Sequence, residues 1–280
     1  MSARLLLSDA IPAATLSAAG TVAGMGADKL KTDPKGEACR ITGSSATLVA
    51  TWASAQTIGV VILPACSLGP SSQIRIQAFA DIAGTELLED SDWQWAVPGA
   101  NLGNWDFSQP LNQHSWPNVA SANDFSTGAP TVASYFRQHH AAQRLEVQLQ
   151  DPGAAFIDVS RLVAGPFLQC RYNASYGASA GVIDLSSNTR SEAGDIKTDW
   201  APRARRLAFN LEFVPDHQRA SIYDLLKAGI GRWVFADLCY GRADTRCRQD
   251  LMLYGKLTQP GSMAWAMHGY HSTQFDIEGY

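Results

Sequence analysis

Alternation with a period of two runs through this chain, and no helical period of ten or more residues appears before Asp216. Residues 207–214 (LAFNLEFV) set Leu207, Phe209, Leu211 and Phe213 on one face without a break. Successive side chains of a strand point to opposite faces, so this pattern predicts a half-buried strand. Residues 73–80 set Ile74, Ile76 and Ala78 against Gln73, Arg75 and Gln77. Residues 144–150 do the same with Leu145, Val147 and Leu149 against Arg144, Glu146 and Gln148. Residues 58–63 (IGVVIL) are continuously apolar, as in a strand buried on both faces, and Pro64 ends them. A short apolar run at 47–52 and the Ile157/Val159 face of 156–162 add two more strands. Short strands between turn residues predict a mainly β chain whose first part is a jelly-roll-type β-sandwich.

The chain changes character near its end. Pro215 stops the 207–214 strand, Asp216 suits a helix N-cap, and Ile222, Leu225, Leu226 and Ile230 follow at helical spacing. Gly229 and Gly231 suit the end of that helix. Strands are expected at 233–238, 251–257 and 273–278, giving a small α+β unit of one helix on an antiparallel sheet. Charge also changes sign. Residues 1–160 hold 8 Lys/Arg against 14 Asp/Glu, and residues 200–280 hold 10 against 8. The Gly-, Ser- and Asn-rich stretch between reads as linker with one short strand. The expected plan is a sandwich at 1–170, a linker at 171–202 and the α+β unit at 203–280. One helix covers one face of a sheet, so the other face and the edges of the last unit need water or a partner.

Composition narrows the class. Of 280 residues, 46% are hydrophobic and 17% charged, which disfavours disorder as the dominant state. A net charge of −4 argues against specific nucleic-acid binding. The five cysteines, Cys39, Cys66, Cys170, Cys239 and Cys247, are scattered and form no CxxC. Buried free thiols in a reducing cytosol are the expectation. The apolar stretch Leu5, Leu6, Leu7 is shorter than a signal peptide core, and no run is long enough for a membrane span.

The chain has no phosphate loop, no GxGxxG and no HExxH. His139 and His140 are adjacent, so on a strand they face opposite ways and make a poor bidentate site. They read as surface or interface histidines, as do His268 and His271. Cys239 and Cys247 flank YGRADTR. A hairpin disulfide or half a metal site is open to them, and two ordinary thiols is the favoured reading. Asp81, Glu86, Glu89, Asp90 and Asp92 are oxygen ligands of the type Ca²⁺ takes, but they lack the spacing of a calcium loop. A solvated acidic loop is favoured. No catalytic, cofactor or metal site is therefore assigned, and the chain is expected not to be an enzyme. Trp93, Trp95, Trp105 and Trp116 lie in the long stretch 81–143 and are the feature that points to a ligand. Exposed indole faces stack on sugars; packing of the loop or a subunit contact is the favoured alternative.

Several segments resemble a family when taken together. Residues 15–30 (TLSAAGTVAGMGADKL), 40–49 (RITGSSATLV) and 54–63 (SAQTIGVVIL) resemble the opening of galactose-binding-like, discoidin-type sandwiches in bacteriophage tail proteins. Cys39 stands where that pattern commonly has Trp. Residues 67–79 (SLGPSSQIRIQAF) resemble the following loop and strand, and 156–166 (FIDVSRLVAGP) the closing strand. Residues 188–194 (NTRSEAG) resemble a connector of such proteins, and the last eighty residues resemble the sheet-plus-helix unit of tail-tube and distal-tail proteins.

The resemblance implies a virion structural protein at the tip of a long non-contractile tail, assembled in the host bacterial cytoplasm. Such a distal-tail or baseplate ring subunit would contact the tail tube, the tail hub and the tape-measure protein. A closed six-fold homo-oligomeric ring is what the resemblance implies. Its contact is expected through the 207–214 and 273–278 strands. The alternative is a carbohydrate-binding accessory module of the tail tip that contacts host-surface glycans. A glycan hydrolase ranks third, because no pair of carboxylates is placed for it.

Overall fold

A computed structural model describes residues 2–34, 36–69, 71–97, 130–192, 194–201, 203–227, 229–241, 245–259 and 261–279. The first part is an antiparallel sandwich. Its main sheet runs in the order Val163–Gly165, Ser45–Leu63, Val132–Gln150, Gln73–Phe79 and Leu87–Asp90. Thr15–Ala18 adds to Ser45–Leu63, and Gln94–Trp95 to Gln73–Phe79. Cys39–Thr42 and Phe156–Val159 form the small second layer. The alternating residues meet between the layers as expected. Leu48, Ile74, Ile76, Leu145 and Val147 face Ile41, Ile157 and Val159 in one buried cluster. Cys39 is fully buried there. The buried indole is Trp52, whose Nε1–H donates to the Ala10 carbonyl at 2.8 Å.

Two runs read as separate strands, 47–52 and 58–63, belong to one 19-residue strand, Ser45–Leu63. Its ladder with Val132–Gln150 breaks twice. Thr51 pairs Arg144 while Gln56 pairs Ala142, and Ile58 pairs His140 while Val60 pairs Tyr135. Four residues oppose one at each break, on alternate strands, so the second bulge restores the register that the first displaces.

The second sheet is larger than the last eighty residues predict. Its order is Phe167–Gln169, Arg4–Leu6, Trp233–Asp237, Met252–Leu257, Tyr270–Gly279, Arg203–Pro215 and Ser179–Asp184. Met263–Met267 pairs Tyr270–Gly279 at the side. Arg4–Leu6, too short to show a period, is buried throughout. The stretch expected as linker holds three strands, Ser179–Asp184, Ser187–Arg190 and Ile196–Asp199, the first of which pairs with Arg203–Pro215. Its polar, Gly-rich composition conceals them because their side chains are almost all exposed. A short helix at Thr245–Asp250 and the Met263–Met267 strand carry no sequence period.

Helix Asp216–Lys227 lays Ile222, Leu225 and Leu226 on Leu207, Phe209, Leu211, Phe275 and Ile277. The face-by-face expectation fails at Phe213. A bulge between Leu211 and Val214 reverses the alternation, so Val214 is buried and Phe213 is 44% exposed. Phe213 instead meets Tyr172 and Tyr270 edge to face. Ile230 lies beyond the helix end and is exposed, because Gly229 and Gly231 take positive φ.

Two corrections bear on assembly. The strands expected to carry a ring contact are partly covered: Arg203–Pro215 pairs Tyr270–Gly279 along one side and Ser179–Asp184 over 203–208 on the other, and Tyr270–Gly279 also pairs Met252–Leu257 over 277–279 and Met263–Met267 over 270–273. Over Arg4–Leu6, Trp233–Asp237 and Met252–Leu257, the sheet face away from the helix is covered by the chain's own sandwich, while Asn210 and Gln274 farther along the sheet stay exposed. Val60, Ile62 and Val163 pack there with Leu6 against Phe235, Met252 and Tyr254. This is why 58–63 is apolar on both faces. Val61 and Leu63 face the sandwich core, while Val60 and Ile62 face the other sheet.

Polar links border that apolar layer. Tyr135 Oη donates to Asp237 at 3.2 Å, and Arg248 donates to the same buried carboxylate at 3.1 Å and to the Ala133 carbonyl at 3.3 Å. Gln249 Nε2 donates to the Thr131 carbonyl at 2.9 Å. The Arg4 guanidinium lies over the rings of Tyr135, Phe167 and Tyr240. A charge taken out of water is tolerated only with such partners.

Candidate functional site

The second bulge borders a concavity of the sandwich. Between Tyr135 and His140 the strand has more backbone than its partner, which supplies Gly59 alone. The surplus turns Arg137, Gln138 and His139 outward, all exposed, while His140 turns in. Gly59 leaves room opposite it for the His139 ring, which a Cβ there would overlap while coming within 3.0 Å of Phe167. The His139 imidazole accepts the Phe167 N–H at 3.3 Å. Burial holds its pKa below the ordinary histidine value, in keeping with a neutral acceptor.

Leu87–Asp90 lies across from this bulge. Glu89 spans the gap: one oxygen accepts the Arg137 N–H at 2.9 Å and the other meets His140 Nε2. Burial pushes the Glu89 carboxyl up, but these hydrogen bonds and the His140 charge outweigh it. The group titrates below the usual carboxylate range. Asp90 is held by Arg75 and by Gln77 Nε2 at 2.8 Å, and the Arg75 hydrogen bond lowers its pKa most. Asp92 then turns the chain with φ of 55°, the one positive value at a non-glycine among the described residues. Its N–H donates to Asp90 at 2.9 Å. Aspartate tolerates this conformation better than most residues, and such outliers cluster at ligand sites.

A cavity of about 550 Å³ results, lined by Leu88, Glu89, Asp90, Asp92, Arg137, Gln138 and His140. Glu89, Asp90 and His140 are committed to one another or to Arg75, so they form its frame. The Arg137 guanidinium, the Gln138 amide and the Asp92 carboxylate make no hydrogen bond among the described residues, and Asp92 interacts with Arg75 by charge alone. Trp93, beside Asp92, is 37% exposed.

The acidic residues singled out from sequence thus separate. Asp81 accepts from the Thr85 and Glu86 N–H groups at 3.0 and 2.8 Å, which lowers its pKa to about 2 and closes a turn. Glu86 does not line the cavity. Among the described residues no group of three or more His, Cys, Asp or Glu is placed to hold a metal ion. Trp95 is half-buried and pairs with Gln73, whereas Trp105 and Trp116 lie outside the described residues. His271 bonds Asp216 at 2.8 Å, far in sequence from the cavity. Arg137 and Gln138 carried no signal in the sequence; only the uneven count of residues across the ladder reveals them.

No family model matches this chain, and no curated protein matches it in sequence. Solved structures match in shape. The CBM32 of AlyQ, in complex with 4,5-unsaturated mannuronic acid, shares 11% identity over 54% of this chain and 92% of its own, with a TM-score of 0.35. Chitosan-binding module 1 from the chitosanase/glucanase of Paenibacillus sp. IK-5 shares 13% identity over 57% and 99%, with a TM-score of 0.36. Discoidin II of Dictyostelium discoideum shares 11% identity over 95% and 88%, with a TM-score of 0.30.

Proposed function

We propose that this protein binds carbohydrate, at the cavity between Leu87–Asp90 and the bulge of Val132–Gln150. The observation that carries the reading is the set of unspent polar groups. Arg137, Gln138 and Asp92 offer donors and an acceptor to a ligand, on a frame fixed by Glu89, Asp90 and His140. Sugar hydroxyls need both kinds of group, and Trp93, exposed and next in sequence to the lining residue Asp92, offers an apolar face for a pyranose ring at the cavity rim in this reading. The role is binding and not catalysis, because Glu89 and Asp90 are tied up in ion pairs. A glycan array followed by calorimetry tests it. R137A and W93A should each weaken the best glycan about tenfold, about 1.4 kcal/mol. Retention of no glycan, or full affinity in both variants, would overturn the reading.

A second reading, a homo-oligomeric ring subunit of a phage tail tip, is favoured by a separate observation. The strands at 179–199 expose Val182, Leu185 and Ile196 by 62% or more, and Trp200 beside them is 76% exposed. A contiguous exposed apolar patch marks a partner site, and these four side chains lie within 19 residues of one another on this arm. We place the contact of a ring on this arm. A tail tube, hub and tape-measure neighbour, and a virion location, belong to the same reading. Sedimentation of the purified protein should show an oligomer that W200D with I196D dissociates. A monomer at high concentration would rule the ring out.

A further inference from the structure

Cys239 and Cys247 lie outside the residues that line the cavity, and their sulfurs are 3.5 Å apart. Cys239 follows the Trp233–Asp237 strand, where its N–H donates to Asp237 Oδ1 at 3.1 Å. Cys247 sits on helix Thr245–Asp250 and is partly open to solvent, while Cys239 is buried. A disulfide needs about 2.05 Å between sulfurs, so the two must approach by about 1.5 Å, with Cys247 carried on a six-residue helix. The other cysteines differ. Burial pushes the Cys39 thiol up to about 11 and the Cys66 and Cys170 thiols up to about 12, which leaves them unreactive.

We propose that Cys239 and Cys247 form a reversible disulfide by exchange with a low-molecular-weight disulfide such as oxidised glutathione. Cys247 loses its proton and its thiolate attacks one glutathione sulfur, releasing the other glutathione as thiolate. Cys239, deprotonated in turn, attacks Cys247 Sγ and releases the second glutathione. Two protein thiols are oxidised, one external disulfide is reduced to two thiols, and the two protons pass to those products. The bond joins the strand that carries Asp237 to the helix that carries Arg248 and Gln249. Those three residues hold the second sheet to the sandwich, through Tyr135, Ala133 and Thr131. Oxidation therefore ties together, within the second sheet's own unit, the two segments whose Asp237, Arg248 and Gln249 contact the sandwich.

The test uses the full chain in a glutathione buffer, followed by denaturation, alkylation of free thiols and mass spectrometry. Three alkylated cysteines, a mass lower by two hydrogens and a cross-linked 239/247 peptide are expected. In C239S a glutathione adduct should accumulate on Cys247. The oxidised wild type should melt several degrees above the reduced protein, and C247S should show no redox-dependent difference. Five alkylated cysteines, or glutathione on both Cys239 and Cys247 without a cross-link, would overturn the proposal. So would identical melting of the oxidised and reduced wild type.

Discussion

A Cβ built on Gly255 would lie 2.6 Å from the Glu278 carbonyl carbon and 2.9 Å from the Gly279 nitrogen. Both are backbone atoms of the paired strand, and a ladder cannot yield without losing hydrogen bonds. At Gly59 the obstacle is the end of a side chain, His139, which can swing away. The same substitution should therefore cost differently: about 3 kcal/mol for G255A and about 1 kcal/mol for G59A. Urea denaturation reads both, and H139A should remove most of the G59A penalty. Equal penalties would show that His139 is as fixed as backbone. Glu89 gives a second expectation at this scale. Its folded pKa lies below the ordinary carboxylate value of about 4.3, so its contribution is present above that value and is lost as pH falls through the folded one. Thermal melts between pH 7 and about pH 2 should fall less steeply in E89Q. An unchanged acid slope would show that the Glu89–His140 pair does not govern acid stability. The sequence displays Glu89 and His140 as residue types, but not their meeting, because 51 positions separate them.

Elements were legible where a period survives for six residues or more. Gln73–Phe79 and helix Asp216–Lys227 lie close to where alternation and capping put them. Bulges are what escaped. They shift the register by their own length, so Phe213 leaves the core and Arg137 reaches solvent although neither residue looks unusual. The arm at 179–201 escaped for a different reason. A strand pair exposed on both faces needs no apolar alternation, and Ser, Gly and Asn there read as linker. The same exposure makes it the expected first site of proteolysis. Among the described residues, Ser187–Arg190 and Ile196–Asp199 pair with no strand but each other, and the Ser191–Asp195 turn between them is held by two short-range backbone bonds. Brief trypsin treatment should cut after Arg190 or Lys197 before any site at 203–257. First cleavage inside 203–257 would mean that the arm is covered in solution, and assembly should then be measured at the same concentration.

At the scale of the molecule, the chain's two ends and its middle make one junction. Arg4–Leu6 crosses to the second sheet, pairing with Trp233–Asp237 on one side and Phe167–Gln169 on the other. The charge reversal along the sequence says nothing of how tightly the two sheets pack. That packing depends on Val60, Ile62 and Val163 meeting Phe235, Met252 and Tyr254, with Trp233 stacked on Tyr254 at 4.9 Å. An apolar layer of this kind costs its area in water when opened, so the two sheets should unfold together. Phe235 is the test residue, because it is 1% exposed and its ring belongs to the layer between the sheets. F235A should cost about 3–5 kcal/mol. The loss should appear equally in a probe of each unit, such as amide exchange at Leu48 in the sandwich and at Leu207 in the second sheet. Both amides lie in paired strands away from the substitution. If exchange at Leu207 quickens while Leu48 keeps its protection, the sandwich is stable without its neighbour and the junction is a docking contact. If both quicken together, the chain folds as one cooperative body, and the second sheet needs the sandwich where the sequence alone had left its face for another molecule.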